Sequence, residues 1–500
     1  MKADKELYRQ LRALSCDELW TVEVPRFNRA DPRERNARVA LIRAVGVVFS
    51  ASGSAAQKAG VKAWLAGLLH DPSEKVRRYA LAAIPKLRGA PGAEARMLEL
   101  LKRTPVEREM RHIGRALDKI GGPEALRAVS GLMPQTEQKV KAALARAAAP
   151  SEVRLDREFA GFNRLRIHLR CRRGLEGLVR EELGASSLKT RFRVLEQHHR
   201  CLVITPTAPF SLADLYRLRC FATLGFSLGY SKSGDADELA GFVVSPRARV
   251  LMQTFTEGSI RYRIEFVGKG HRRGAVRELA NRAYARCPDL LNDSREAPWS
   301  MDLHDTPRGT LVELRPRIYP DPRFAYRRGD VSASSHPPLA AAMARLAGPM
   351  AGEVAWDPFC GSGVELIERA LLGGVTRLIG TDLNPEAVAV ARQNVGAAVL
   401  PGVDVVFAAA DFRAAPVAPG SVSLVISNPP MGRRIRIKDM HGLYADFLAA
   451  ASRALRPGGR LVFPNPLRNG PADASLALEY RQPVDLGGYL CRLERYRKAG

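Results

Sequence analysis

"GEVAWDPFCGSGVELIERALLGG", Gly352 to Gly374, joins a short apolar run to a glycine-bearing turn and then to a helix-period segment, and its reading decides the fold. The run before Asp357 predicts a buried strand. Gly361 and Gly363 permit close backbone approach to a ligand, and the helix N-terminus behind them favours a carboxylate or phosphate. The next stretch, "VTRLIGTDLNPEAVAVARQNV" from Val375, adds a second strand and helix, and its strand ends in Asp382, where a doubly wound sheet grips ribose hydroxyls. From "HPPLAAAMARLAG" at His336 onward, strand-like and helical pieces alternate to the C-terminus. That alternation predicts a parallel sheet with crossover helices.

A nicotinamide dinucleotide is disfavoured because the turn lacks the G-x-G-x-x-G spacing and offers no third glycine to a pyrophosphate. Asp357, at the end of the first strand, would repel a diphosphate but attract an ammonium or a sulfonium. S-adenosylmethionine carries both. A third strand, "DVVFAAADF", closes on Asp411, whose carboxylate could accept a hydrogen bond from an adenine amino group. Asp357, Asp382 and Asp411 thus fall at the ends of three successive strands. With Phe359, Gly361, Ser362 and Gly363 in the turn, Leu383 after the second strand, and Asn428, they form the candidate cofactor-binding set.

The fourth strand, "SVSLVIS" at Ser421, runs into Asn428-Pro429-Pro430-Met431-Gly432. Two prolines stiffen this loop and remove backbone donors, leaving the Asn428 side-chain oxygen and the Pro429 carbonyl as acceptors. Such acceptors suit an exocyclic amino group of a nucleobase, held toward a transferable methyl group and stabilised as positive charge develops. The candidate catalytic set is Asn428, Pro429, Pro430 and Met431, with no metal. A base inside a duplex cannot reach such a pocket, so the target is unpaired or flipped. Met431 offers a polarizable contact without a ring face, which leaves Phe359 and Tyr444 as candidate stacking rings.

Lys and Arg outnumber Asp and Glu by 78 to 52, and the chain's pI is about 10.2, which points to a polyanionic partner, RNA first. The seven cysteines form no Cys-x-x-Cys pair or Cys/His cluster, so reduced thiols and no zinc site are expected. The start "MKADKELYRQLRAL" has no apolar h-region and no stretch is long and apolar enough to span a bilayer, so a cytoplasmic protein without membrane contact is expected.

Residues 1–150 repeat. "DPRERNARVALIRAV" at Asp31 and "DPSEKVRRYALAAIPKL" at Asp71 each read as Asp-Pro opening a helix with aliphatic residues at helical spacing, and Thr104 and Thr136 begin degenerate copies. This resembles HEAT-type helical repeats, a docking surface without chemistry for which a protein partner is one expectation. Residues 160–330 have a mixed α+β texture, and "SIRYRIEFVGKGHRRGAVR" and "YPDPRFAYRRGD" mix basic with aromatic residues in a way that suits phosphate contacts and base stacking. Residues 331–500 form the doubly wound α/β part.

"DPFCGSG", "GTDLNP" and "NPP-x-G" in this order resemble the Rossmann-like amino-methyltransferases. With "GLEGLVREEL", "DPRFAYRRGD" and "HPPLAAAMARLAG" the chain looks like a THUMP-domain RNA methyltransferase over roughly residues 160–500, with the HEAT-like segment added. The resemblance implies a doubly wound sheet with an antiparallel last hairpin, S-adenosylmethionine as methyl donor, and methylation of guanosine N2 in tRNA, or alternatively in 23S rRNA. It implies that Asp357, Gly361 and Gly363 serve the methionine side, Asp382 the ribose, Asp411 the adenine, and Asn428 to Pro430 the amine. Two positions depart from the family pattern: Val364 stands where a hydroxyl residue is frequent, and Met431 where an aromatic is usual. Competing readings are an adenine N6 or protein glutamine amide acceptor, and a non-catalytic RNA-binding factor with a decayed pocket.

Overall fold

A computed structural model of the chain describes every residue except 1, 149, 162–163, 269, 271, 333 and 433–436. The fold divides into two units, Met1–Glu152 with Tyr230–Val312, and Val153–Gly229 with Glu313–Gly500. Segment 160–330 therefore contributes to both. Among the described residues no helix is long and apolar enough to cross a membrane.

The first unit begins with stacked helix pairs. Ala40–Ser52 packs on Glu74–Ala83, that helix on Glu107–Ile120, and that one on Pro134–Ala148, while Ala55–Gly67, Ala93–Arg103 and Pro123–Val129 pair beside them. First helices thus stack on first helices, the geometry of a HEAT array, because no single pair covers its own apolar face. Val45, Val76, Ile113 and Leu117 are fully buried along this stack. Ion pairs rivet each copy to the next: Arg35 Nη1 reaches Asp71 Oδ2 at 2.5 Å, and Arg77 Nε reaches the buried Glu109 at 2.6 Å.

The two Asp-Pro copies differ. Asp31 caps its helix as expected, Oδ1 accepting from Arg33 N at 2.7 Å and Glu34 N at 2.9 Å, with Pro32 in the first helical position. The later helix starts at Glu74 instead, after Ser73, and Asp71 accepts from Ser73 N at 2.8 Å and from Arg35. Asp71 thus turns one oxygen to its own chain and the other to the preceding repeat.

The rest of this unit sets the strand Arg261–Phe266 between Leu291–Asn292 and Trp299–Thr306, parallel to both, with helix Arg273–Arg286 alongside. Ala142, Tyr284 and Leu291 form a small core joining the last HEAT-like helix to this part, and Tyr284 Oη donates to Glu137 at 2.9 Å.

In the second unit, Ile167–Arg170 pairs antiparallel with Cys201–Pro206 and with Thr223–Ser231. Its larger sheet has seven strands, numbered here β1 (Glu353–Asp357), β2 (Val375–Asp382), β3 (Asp404–Ala409), β4 (Val422–Ile426), β5 (Leu455–Asn465), β6 (Leu476–Asp485) and β7 (Leu490–Lys498). Their order is β3-β2-β1-β4-β5-β7-β6, parallel from β3 to β5, with β7 antiparallel to both β5 and β6. This is the doubly wound sheet with an antiparallel last hairpin. The order reverses at β1, so a crevice opens beyond the carboxyl ends of β1, β2 and β4, where ligands bind in such sheets. A fully buried pair, Glu353 to Arg369 at 2.6 Å, ties the start of β1 to the helix Val364–Leu371, and Arg460 of β5 also pairs with Glu353. Breaking such a buried network would strand an uncompensated charge.

A candidate active site at the strand ends

The turn after β1 is held by its neighbours. Gly361 N donates to Asp382 Oδ2 at 2.9 Å, and Asn384 N to Asp382 Oδ1 at 2.9 Å, so the β2 carboxylate is fixed at the mouth of the turn. Gly363 has φ +79°, and a Cβ there would lie 3.2 Å from Ala391 Cβ, so its glycine serves backbone shape and helix packing. Gly361, at φ +49°, is different: the nearest atom to an added Cβ is 3.8 Å away, so the space over this residue is open.

Asp357 ends β1 and is fully buried. Its Oδ1 accepts from Ser427 Oγ at 2.6 Å and Phe359 N at 3.0 Å, whereas Oδ2 is buried with no partner. Burial, followed by the nearby Glu365 carboxylate, pushes the Asp357 acid well above the usual carboxylate range, and burial pushes Glu365 up as well. An arriving cation would reverse that balance by favouring the ionised form.

Asn428 follows Ser427 beyond β4. Its Nδ2 donates to Ser335 Oγ at 2.7 Å, and Ser335 Oγ donates in turn to Glu365 Oε1. A serine has one proton to give. Because it goes to Glu365, Ser335 can only accept from Asn428, which sets the amide with its NH2 on Ser335 and leaves Oδ1 as the free acceptor. Asn428 Oδ1 is then buried without a partner among the described residues, the second such oxygen at these strand ends after Asp357 Oδ2. Each unpartnered buried polar atom costs about 1–3 kcal/mol, a cost that a bound donor would offset.

The other candidates lie around this line. Leu383 is 69% exposed beside Asp382, an apolar surface of the kind a flat base would cover. Asp411 caps the short turn Phe412–Ala414, Oδ1 accepting from Arg413 N at 2.9 Å, and pairs with Arg413 at 3.1 Å. Ser362 is buried, with its hydroxyl on Ser334 and its carbonyl on Asn394 Nδ2 at 2.9 Å. Pro429 is buried, Pro430 half-buried, and Met431 lies with its Sδ 3.6 Å from Cys491 Sγ. The loop continues into 433–436, outside the described residues.

Neither candidate ring stands free to stack on a base. Tyr444 is buried against Phe447 and Phe463 with its hydroxyl unpartnered, and Phe359 packs on Phe412 with centroids 4.8 Å apart. Three of the aromatic residues in the two basic stretches, Tyr262, Phe324 and Tyr326, are likewise buried, contrary to the stacking role expected of them, whereas Tyr319 is 98% exposed. Tyr262 is fully buried, Tyr326 Oη donates to Glu368 at 2.6 Å, and Arg323 lies buried 4.0 Å from the Phe221 ring centroid while donating to Phe221 O at 2.7 Å. Strand and loop geometry turns these rings into the core and leaves many neighbouring arginines outside.

Sequence reasoning missed Ser335, Glu365, Asn394 and Ser427. Asn394, fully buried, accepts from Arg328 N at 2.9 Å and Gly329 N at 3.0 Å, and so clamps "RRGD" to the glycine turn through Ser362. The available signals were a glutamate in the first turn of the helix "VELIERAL" directly after the glycine turn and an asparagine on the buried face of "ARQNV".

Comparison with known proteins agrees with this fold. Residues 325–466 match the family model described as RMKL-like, methyltransferase domain, and residues 61–149 match the model for HEAT repeats. The chain is 31% identical over 224 residues to the tRNA (guanine(6)-N2)-methyltransferase of Thermus thermophilus, covering 44% of this chain and 64% of that protein. It is 32% identical over 136 residues to the tRNA (guanine(10)-N2)-dimethyltransferase of Methanothermobacter thermautotrophicus, covering 27% of this chain and 39% of that one. The chain thus spans under two thirds of the length of these relatives. Among solved structures, TrmN from Thermus thermophilus superposes with a TM-score of 0.52 at 22% identity, covering 67% of this chain and 99% of that one. The N-terminal helices are HEAT-like repeats, and the seven-stranded part is a Rossmann-like methyltransferase domain.

Proposed function

We propose that this protein is an S-adenosylmethionine-dependent methyltransferase of RNA, acting on the exocyclic N2 of a guanosine in tRNA in the cytoplasm. The observation that carries this is the Asn428 Oδ1 acceptor, set by Ser335 and Glu365 and left without a partner among the described residues. An amino group has the hydrogen that such an oxygen lacks. The residues present fit the cofactor: Asp357 Oδ2 is an orphan acceptor for a cationic end, Gly361 leaves open space, and Asp382 is held in place for vicinal hydroxyls with Leu383 exposed beside it. When bound, S-adenosylmethionine supplies an electrophilic methyl carbon, so transfer forms a C–N bond, breaks a C–S bond and releases one proton from the amine.

The chain's part is to hold and orient. Asn428 Oδ1 and the Pro429 carbonyl accept from the amine and thereby aim its nitrogen, and both oxygens stabilise the positive charge that grows there. Pro429 and Pro430 restrict the backbone that carries these acceptors. Residues 160–330 are assigned to binding RNA and 331–500 to the chemistry, with the HEAT-like repeats of 1–150 as a docking segment. The named activities of the two curated relatives support guanosine N2 in tRNA over 23S rRNA.

Incubation of the full chain with methyl-labelled S-adenosylmethionine and, separately, bulk tRNA, 23S rRNA, DNA or protein tests this. Label in tRNA recovered as N2-methylguanosine is expected. Label only in an adenosine, in 23S rRNA or in protein would replace the acceptor, and S-adenosylmethionine binding without transfer to any of them would leave a non-catalytic RNA-binding factor.

A further inference from the structure

A cleft of about 1320 Å³ lies within the first unit, walled on one side by HEAT-like helices and loops and on the other by helix Arg273–Arg286 and the segment 292–295. Its cations fall into two groups. One group is structural: Lys139 pairs with Asp118 at 2.6 Å, and Arg146 pairs at 2.7 Å with Asp293, which also holds Arg261 at 3.0 Å. The Arg146 to Asp293 pair, with the Tyr284 to Glu137 bond at 2.9 Å, fixes the two walls against each other.

The other group has no acidic partner. Arg88 and Lys119 from the HEAT-like wall, and Arg272, Arg273, Arg277 and Arg295 from the opposite wall, line the cleft, are exposed, and make no ion pair among the described residues. These six exposed cations, and the half-buried Lys62 beside them, are unpaired among the described residues and repel one another across the cleft. The arrangement is stable without a ligand only because water and salt screen it, and a chain of phosphates would relieve it by releasing counterions. The acidic residues in the lining are already engaged: Asp118 and Asp293 in the pairs above, and Glu94 with Gly122 N and Ala125 N, each at 2.9 Å. None of the described residues lining the cleft is aromatic, so the cleft offers charge without stacking. It therefore suits backbone phosphates rather than bases.

We infer that the HEAT-like repeats form one wall of a phosphate-binding cleft that grips the sugar-phosphate backbone of the RNA substrate, instead of serving only as a platform for a protein partner. This rests on the RNA-methyltransferase reading and extends it to a segment for which that reading alone assigns no contact. Both walls supply unpaired cations, so neutralising either wall should weaken the same grip on the backbone.

The test uses the full chain, bulk tRNA as the probe, and binding measured over a series of salt concentrations. The variants are R88Q/K119Q on the HEAT-like wall, R272Q/R277Q on the other, and Arg9→Gln with Arg111→Gln as a control for loss of charge outside the cleft. Each double cleft variant should weaken tRNA binding about tenfold or more and lower the salt slope by about two, close to one for each phosphate no longer neutralised. The outside pair should change the slope by less than one. Melting temperature and S-adenosylmethionine affinity serve as folding controls. If wild type binds tRNA and the R88Q/K119Q variant binds it equally well, the HEAT-like wall is excluded from RNA binding while the methyltransferase reading stands. The inference also falls if that variant loses an acidic protein ligand but not tRNA. Failure of the wild type to bind or methylate any RNA would remove the underlying reading and the inference with it.

Discussion

Asn428 Nδ2 donates to Ser335 Oγ at 2.7 Å across 93 residues of chain, and this bond decides which end of the Asn428 amide is left as a free acceptor. Ser335 holds its own proton on Glu365. Three side chains from three separate segments therefore set the polarity of one acceptor.

Asn428→Ala should lower kcat by about a hundredfold, in the range seen when one preorganised polar group at a reacting atom is removed, with little change in S-adenosylmethionine affinity. Ser335→Ala frees the amide to rotate, so kcat should fall by about tenfold, and Ser335→Thr, which keeps the hydroxyl, should recover most of it. Steady-state kinetics with the cofactor Kd measured separately distinguishes these. Equal loss in Ser335→Thr and Ser335→Ala would argue for a packing role only.

Asp382→Ala should behave in the opposite way. It removes the acceptor of Gly361 N and Asn384 N and the proposed ribose contact together. Loss of charge-assisted hydrogen bonds of about 1.5–3 kcal/mol corresponds to a cofactor Kd raised roughly ten- to a hundredfold. Turnover at saturating cofactor should change much less. A kcat defect with unchanged Kd in calorimetry would contradict the assigned role.

Protonation of Asp357 should be linked to ligand binding. Its folded acid is raised by burial and then by Glu365, so the ligand-free protein keeps a proton there to higher pH than an exposed carboxylate would. The stability this contributes is full below the unfolded value of about 3.9 and is lost as pH climbs toward the raised folded value. Asp357→Asn mimics the protonated form, so its melting temperature should exceed that of wild type by a margin that widens as pH rises. The same variant should bind cationic S-adenosylmethionine about tenfold or more weakly. Wild-type binding should release protons, read as a buffer-dependent heat in calorimetry. Parallel melting curves against pH for the two proteins would sink the assignment.

Glu109 is fully buried between two HEAT-like copies and accepts from Arg77 at 2.6 and 3.0 Å and from Thr104 at 2.6 Å. Glu109→Ala leaves Arg77 without its partner and should cost about 3–5 kcal/mol locally. Hydrogen exchange should then speed up in Glu74–Ala83 and Glu107–Ile120, with Glu109→Gln intermediate. Unchanged protection in both helices would mean that the array is held by its apolar stack alone.

Much of the catalytic sheet was legible because its information is local. Glycines in a turn, an acid at a strand end and a pair of prolines each constrain the backbone within a few residues. Parallel strands then bring their carboxyl ends to one edge whatever the details of packing. The rings at Tyr262, Phe324, Tyr326 and Tyr444 were misread for the converse reason: an aromatic beside an arginine looks the same in sequence whether it faces solvent or core. The second Asp-Pro copy misled similarly, since Asp71 can cap its own helix or pair with Arg35 of the preceding repeat, and only packing chooses.

By itself, the sequence determined the doubly wound class, the helical repeats and the strand ends where Asp357, Asp382 and Asn428 would meet, because periodicity and turn chemistry act over short range. Tertiary structure alone decided that Ser335 and Glu365 would orient Asn428, that Asn394 would clamp the glycine turn, and that one cleft would gather unpaired cations from two distant segments. Those outcomes depend on which polar groups burial leaves within hydrogen-bond or ion-pair reach of one another, and that distance is not written in the order of residues.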